Sequence, residues 1–164
     1  MKKLAIVIIL LSLIPLLIVT VKSIKLEQNC TGNLERASNA NTIETAIEEL
    51  NYSIGYLEEN KLTTGYTSVF YRTPDEDISF FYKNLVDSRD ELMKVDSTTT
   101  QLERTNLLMK LRETLTHNDG ENGTSVTYPD GLSRYPNNGM WMFFVTLSLL
   151  CIIGFGLVIF IDIV

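Results

Sequence analysis

The sequence predicts a mainly α-helical protein, with two transmembrane helices flanking an extracytoplasmic helical hairpin or three-helix bundle. Three observations carry that prediction. Residues 1–21 contain 16 apolar residues and 140–164 contain 20, whereas 22–139 contain only 38 in 118 positions, so the mean hydropathy of +0.10 averages two unlike populations. Charge divides in the same way: of 34 charged residues in the chain of 164, only Lys2, Lys3 and Asp162 lie outside 22–139. Within that polar middle, apolar residues recur at alternating spacings of three and four, the period of a helix that buries one face.

Residues 4–21 (LAIVIILLSLIPLLIVTV) are 18 uncharged positions. At about 1.5 Å rise per residue they just cross a hydrocarbon core of about 30 Å. Pro15 is tolerable in lipid, where a neighbouring helix can satisfy the freed carbonyl. Lys2 and Lys3, within a cytoplasmic N-terminus of residues 1–3, and the small residue Ser23 beyond Val21 also suit a cleaved signal peptide. The apolar run is longer than the roughly 7–15 residues of a signal h-region, so a retained signal anchor is the expectation. No lipobox precedes Cys30, which follows Glu27, Gln28 and Asn29.

Residues 140–161 are 22 uncharged positions opened by Trp141, an aromatic type that favours the headgroup level, and they leave 162–164 as a cytoplasmic tail. Ser148, Cys151 and Gly154 recur every third position in this span, a pattern that short apolar helices also produce by chance. The two lysines favour a cytoplasmic N-terminus, and a loop longer than about 60 residues translocates largely regardless of its charge. Residues 22–139 are therefore expected outside the cytoplasm, with a bacterial cytoplasmic (inner) membrane as the setting. That segment carries 12 Lys and Arg against 19 Asp and Glu, a balance that disfavours nucleic acid as a partner.

In the middle segment, Ala40, Ile43, Ile47, Leu50, Ile54 and Leu57 form a coiled-coil-like seam with Glu44, Glu48, Glu49, Glu58 and Glu59 off it. They predict a helix over 34–59 that stops at Asn60, a residue suited to a left-handed cap. Residues 61–72 break the period. Thr73-Pro74-Asp75-Glu76 is then a capping box, Thr73 at the cap and Glu76 reaching back to it, which predicts a helix over 74–95. The acids Asp75, Glu76 and Asp77 suit the positive helix end, and no glycine-containing calcium loop accompanies them. Ile78, Phe81, Leu85, Ser88, Leu92 and Val95 mark the buried side of that helix. After a break near 97–99, Leu102, Leu108, Leu111 and Leu115 predict a third helix over 100–115. Residues 116–139, rich in Gly, Pro, Asn and Asp, are expected to be a loop leading back to the membrane.

Little in this chain suggests catalysis. His117 is the only histidine, and no Gly-x-Ser-x-Gly, His-Glu-x-x-His or Cys-x-x-Cys pattern supports it. The expectation is a protein that is not an enzyme and holds no metal or cofactor. Cys30 and Cys151 lie too far apart in the predicted topology to pair, which leaves an intermolecular bridge through Cys30 as the disulfide to consider. Sequons at Asn29, Asn51 and Asn122 are close to the number that 12 Asn and 28 Ser plus Thr give by chance. Tyr66, Phe70, Tyr71, Phe80, Phe81 and Tyr82 place six aromatics in 17 residues. They fit either a hydrophobic plug at the tip of the helical hairpin, the favoured expectation, or a partner-binding surface formed by Tyr66, Phe70, Tyr71 and Phe80.

A domain this short of core gains from association, with itself or with a foreign subunit, through its helical seams. The leading functional expectation is an accessory or scaffold subunit of a membrane complex, in contact with the lipid bilayer and a protein partner. A sensor or regulator that binds a ligand between helices and signals through a membrane partner is second, and a phage-type lysis or exclusion protein is third.

Overall fold

The computed structural model describes residues 2–118 and 124–161, the side chains at 2, 4, 5, 155 and 158–161 excepted. The sequon at Asn122 and the tail at 162–164 lie outside the described residues. The protein is mainly helical and divides into two compact units, one of residues 1–24 with 133–164 and one of residues 25–132.

In the first unit, helix α1 (Lys2–Leu26) runs unbroken through Pro15. It begins a helical run in which Ile6–Ser38 is long and apolar enough to cross a bilayer, and none of its apolar window is buried. The apolar side chains project on every side, with Leu10, Leu11 and Leu17 about 60% exposed. At the other end of the chain lies a long apolar helix, α6 (Asn138–Ile161). Of its small residues, Ser148 is buried and donates to the Phe144 carbonyl (2.7 Å), Cys151 is half-buried and Gly154 is exposed, so no continuous small-residue stripe is covered.

The second unit opens with a π-helical turn, Glu27–Thr31, followed by α2 (Gly32–Ser38). The extra residue of the π turn leaves Gly32 N–H bonded to the Glu27 carbonyl, and a Cβ at position 32 would stand 2.7 Å from that oxygen. Cys30, Leu34 and Ala37 are thereby set on one buried face. The helix expected over 34–59 is in fact two, because Asn39, Ala40 and Asn41 leave the helix and α3 (Ile43–Glu59) starts afresh. Thr42 is extended and its hydroxyl accepts from Thr45 N–H (3.2 Å), a cap that outcompetes continuation through two residues of poor helix propensity.

Helix α3 is the centre of the unit, packing against the π turn, α2, α4 (Ile78–Leu92) and α5 (Gln101–Leu115). Its buried face comprises Ile43, Ala46, Leu50, Ser53, Ile54 and Leu57, with Ile47 only half-buried and Ala40 outside any helix. The spacing therefore reported a core-facing stripe on one short helix rather than a coiled-coil seam. Glu49, expected on the solvent side, is 2% exposed and ion-paired to Arg36 of α2. The stop is also displaced: Asn60 keeps negative φ, and Lys61 takes the left-handed conformation (φ 57°). Leu62 N–H then reaches the Leu57 carbonyl (2.7 Å) and Lys61 N–H the Glu58 carbonyl (3.1 Å), with Leu57 and Leu62 both buried, the paired bonds and apolar contact of a Schellman motif.

The helix expected over 74–95 also begins later. Pro74–Glu76 is a single 3-10 turn, and α4 follows an extended Asp77. The Glu76 carboxylate accepts from Thr73 N–H (3.3 Å) and its hydroxyl (2.7 Å), so Thr73 and Glu76 pair as expected while capping the short turn. Ile78, Phe81, Leu85 and Leu92 are buried, and Ser88 and Val95 half-buried. Asp96 folds the break, its carboxylate accepting from Thr98 N–H (2.7 Å), and Thr100 caps α5 in a reciprocal box with Glu103. Leu111 and Leu115 enter the core, whereas Leu102 is 70% exposed. The stretch expected as loop contains a small antiparallel pair, β1 (Thr116–Asn118) with β2 (Thr124–Val126), in the register Thr116 to Val126. Three-residue strands, Thr-His-Asn and Thr-Ser-Val, are too short to carry a sequence signal of their own.

Candidate functional site

The residues between α3 and α4 wrap back on themselves. Thr67 N–H donates to the Glu76 carbonyl (3.0 Å) and Ile78 N–H to the Gly65 carbonyl (3.0 Å), which makes Tyr66 and Asp77 an isolated bridge pair. These bonds pull Asp77 out of the helix and free its side chain to cap α4, where it accepts from Ser79 N–H (2.8 Å) and Phe80 N–H (3.3 Å). Partial desolvation opposes ionisation of Asp77, but the Phe80 and Ser79 amides, helped by the Ser79 and Tyr66 hydroxyls, hold its carboxyl below the ordinary range.

Closing this loop against the far end of α5 leaves a groove of about 740 Å³. One wall is Tyr66, Arg72, Thr73, Pro74, Asp75 and Asp77; the floor is Phe80, Phe81, Asn84 and Leu85 of α4; the other wall is Thr114, Leu115, His117, Thr127, Tyr128 and Pro129. The Arg72 guanidinium lies 4.9 Å from the Tyr66 ring centroid, a cation–π contact that fixes the ring at the rim. On the side of α4 facing α3, the Tyr82 hydroxyl donates to Glu58 Oε1 (2.6 Å), and that hydrogen bond raises the phenol above its usual range.

The aromatic cluster does not form a plug. Phe70 is 82% exposed, Tyr71 77% and Phe80 63%, and Phe81 is the member that enters the core. The exposed three stand on the 66–72 connection and on the outward face of α4, with Phe80 shared between the surface and the groove floor. Tyr66 is half-buried. His117, to which the sequence assigned no site, contributes an exposed imidazole to the groove from β1. Tyr128 and Pro129 were not singled out either, because each is an ordinary loop residue until the chain reversal after α5 brings it to the groove, and Asn84 is an ordinary residue of α4.

Cys30 is fully buried, and burial pushes its thiol up to about 12. The folded domain keeps that sulfur out of solvent, and Cys30 and Cys151 are both free. Asn29 donates to the Lys25 carbonyl (2.8 Å) along its own helix, and Asn51 is exposed on α3. Among the described residues, no group of three His, Cys, Asp or Glu is placed to hold a metal ion. A second depression of about 440 Å³ lies at the break between α2 and α3, beside α5. Its Arg104 is already bonded to the Asp96 (2.7 Å) and Thr99 (3.3 Å) carbonyls.

No protein-family profile, curated protein or solved structure matches this chain.

Proposed function

We propose that this is a two-span membrane protein whose 25–132 domain binds another protein outside the cytoplasm, as an accessory or scaffold subunit of a membrane complex. The observation that carries the reading is the exposure of Phe70, Tyr71 and Phe80, of which Phe80 also lines the groove. Large aromatics supply much contact area for little conformational entropy, and they concentrate at binding surfaces. The spans in this reading are α1 and α6, in which Leu10, Leu11, Leu17, Phe143, Leu150 and Ile153, among the described residues, stand about 60% exposed.

The test is a full-length variant carrying Phe70→Ser, Tyr71→Ser and Phe80→Ser. It is expected to lose a stoichiometric partner during purification in mild detergent while keeping wild-type helicity by circular dichroism. A partner retained at wild-type stoichiometry overturns the reading. Protease added from the cytoplasmic side is expected to leave the domain intact, and cleavage there overturns the topology.

One observation favours a second reading. The groove volume of about 740 Å³ falls within the roughly 300–1,000 Å³ of small-molecule sites, which suits a ligand sensor. A ligand that raises the melting temperature of both the full chain and the triple serine variant supports the sensor over the protein-binding surface.

A further inference from the structure

The division into two units sorts the charges more sharply than the sequence spans do. Residues 25–132 carry 10 Lys and Arg against 19 Asp and Glu. The α1–α6 unit carries Lys2, Lys3, Lys22 and Arg134, and its one acid, Asp162, lies outside the described residues. Lys22 follows directly on the uncharged run of α1, and Arg134 and Trp141 precede and open that of α6.

Two contacts bring these positions together. The Lys22 ammonium lies 5.2 Å from the centroid of the Trp141 ring, and the hydroxyls of Ser23 and Ser133 are 3.2 Å apart. Lys22 and Arg134 are both half-buried, and among the described residues neither has a carboxylate within ion-pair distance. A lysine packed on an indole keeps its stem on apolar surface and holds its ammonium at the polar boundary. The contact also sets the ends of the two apolar helices at a common level.

We propose that Lys22 and Arg134 form a site for the phosphate of an anionic phospholipid headgroup, with Trp141 positioning the lysine. This rests on the two-span reading above, which puts the Lys22–Trp141 contact at the headgroup level. An unpaired cation at that level gains from anionic lipid phosphate, and two on adjoining segments give the headgroup two donors.

Trp141 is the single tryptophan of the chain, so its fluorescence reports on this position alone. The full-length protein in maltoside micelles is titrated with chain-brominated phosphatidylglycerol, with a chain-brominated glucosyl diacylglycerol that lacks phosphate, and with inorganic phosphate. Phosphatidylglycerol is expected to quench at about fivefold lower mole fraction than the sugar lipid, and Lys22→Gln or Arg134→Gln to remove about fivefold of that preference. Equal quenching by the two lipids overturns the phosphate site while leaving the spans intact. Absence of quenching by either lipid overturns the two-span reading itself. Displacement of phosphatidylglycerol by millimolar inorganic phosphate overturns the lipid as the ligand and leaves a free-phosphate site. The comparison of lipids on the unmodified protein needs no variant to fold.

Discussion

Residues 25–132 and the pair of apolar helices treat the same kind of side chain in opposite ways. In the domain, Leu34, Leu50, Leu57 and Leu85 are all but inaccessible, while in α1 and α6 Leu10, Leu17 and Leu150 stand about 60% exposed. Charge runs the other way, acids in excess on the domain and cations on the helices. The difference teaches where each unit finds its stability. The domain's helices bury one another's apolar faces around α3, whereas in the described part of the long helices many apolar side chains, Leu10, Leu17 and Leu150 among them, stay exposed.

The sharpest break of that comparison is a leucine truncation on each side. Leu50→Ala removes a fully buried side chain and is expected to cost the domain about 2–5 kcal/mol, seen as a lower denaturation midpoint in detergent. Leu17→Ala, 62% exposed, is expected to leave the same transition unmoved. If both shift it equally, the two units are one cooperative structure.

Alkaline pH probes the same core through Cys30. Its thiol ionises at about 12 in the folded domain and at 9.0 without burial. The unfolded state therefore loses its proton first. The stabilising contribution is complete below pH 9 and is lost progressively as pH rises from there toward about 12. Melting temperatures of the wild type are expected to fall more steeply above pH 9 than those of Cys30→Ala, and parallel slopes would contradict the burial.

Arg36→Ala strands the Glu49 carboxylate, which is buried while its partner is mostly solvated. A loss of about 1–3 kcal/mol is expected, and Glu49→Leu added to it should recover part of that loss. A double change no better than Arg36→Ala alone would mean that Glu49 is not desolvated. The smallest effect is at a cap: Thr100→Ala removes one half of the box with Glu103 and is expected to cost about 1 kcal/mol in the same unfolding measurement. Backbone and hydroxyl donors on Thr100 hold the Glu103 carboxyl below its usual range. Its share of the cap is therefore present above the ordinary glutamate range and fades as pH falls through and below it.

How much of this was legible can be argued residue by residue. The pairing of Thr73 with Glu76 and the break near 97–99 involve residues a few positions apart, and the sequence displayed them; the box of Thr100 with Glu103 is equally local but was not read from it. Core positions such as Leu50, Ile54, Leu57, Ile78, Phe81 and Leu85 followed from periodicity alone. The break at 39–42 was hidden because Ala40 continued the apolar spacing across it. Glu49 was placed on the wrong side because Arg36, which pairs with it, sits beyond that break. At the groove, Tyr66 and Phe80 were singled out beforehand, but Tyr128, Pro129 and His117 were not. Nothing local distinguishes a loop tyrosine that will face a groove from one that will face water.

The sequence by itself determined the helical character, the Thr73–Glu76 pairing, the separation of apolar ends from a polar middle and the excess of acid in that middle, since each depends on neighbours along the chain. Tertiary structure decided that Phe70, Tyr71 and Phe80 are exposed while Phe81 is buried, that Cys30 is sealed, and that Lys22 meets Trp141 across 118 intervening residues. Those outcomes depend on which distant atoms compete for the same space. The physical reason is that burial belongs to a pair of surfaces, and a linear pattern records only one of them.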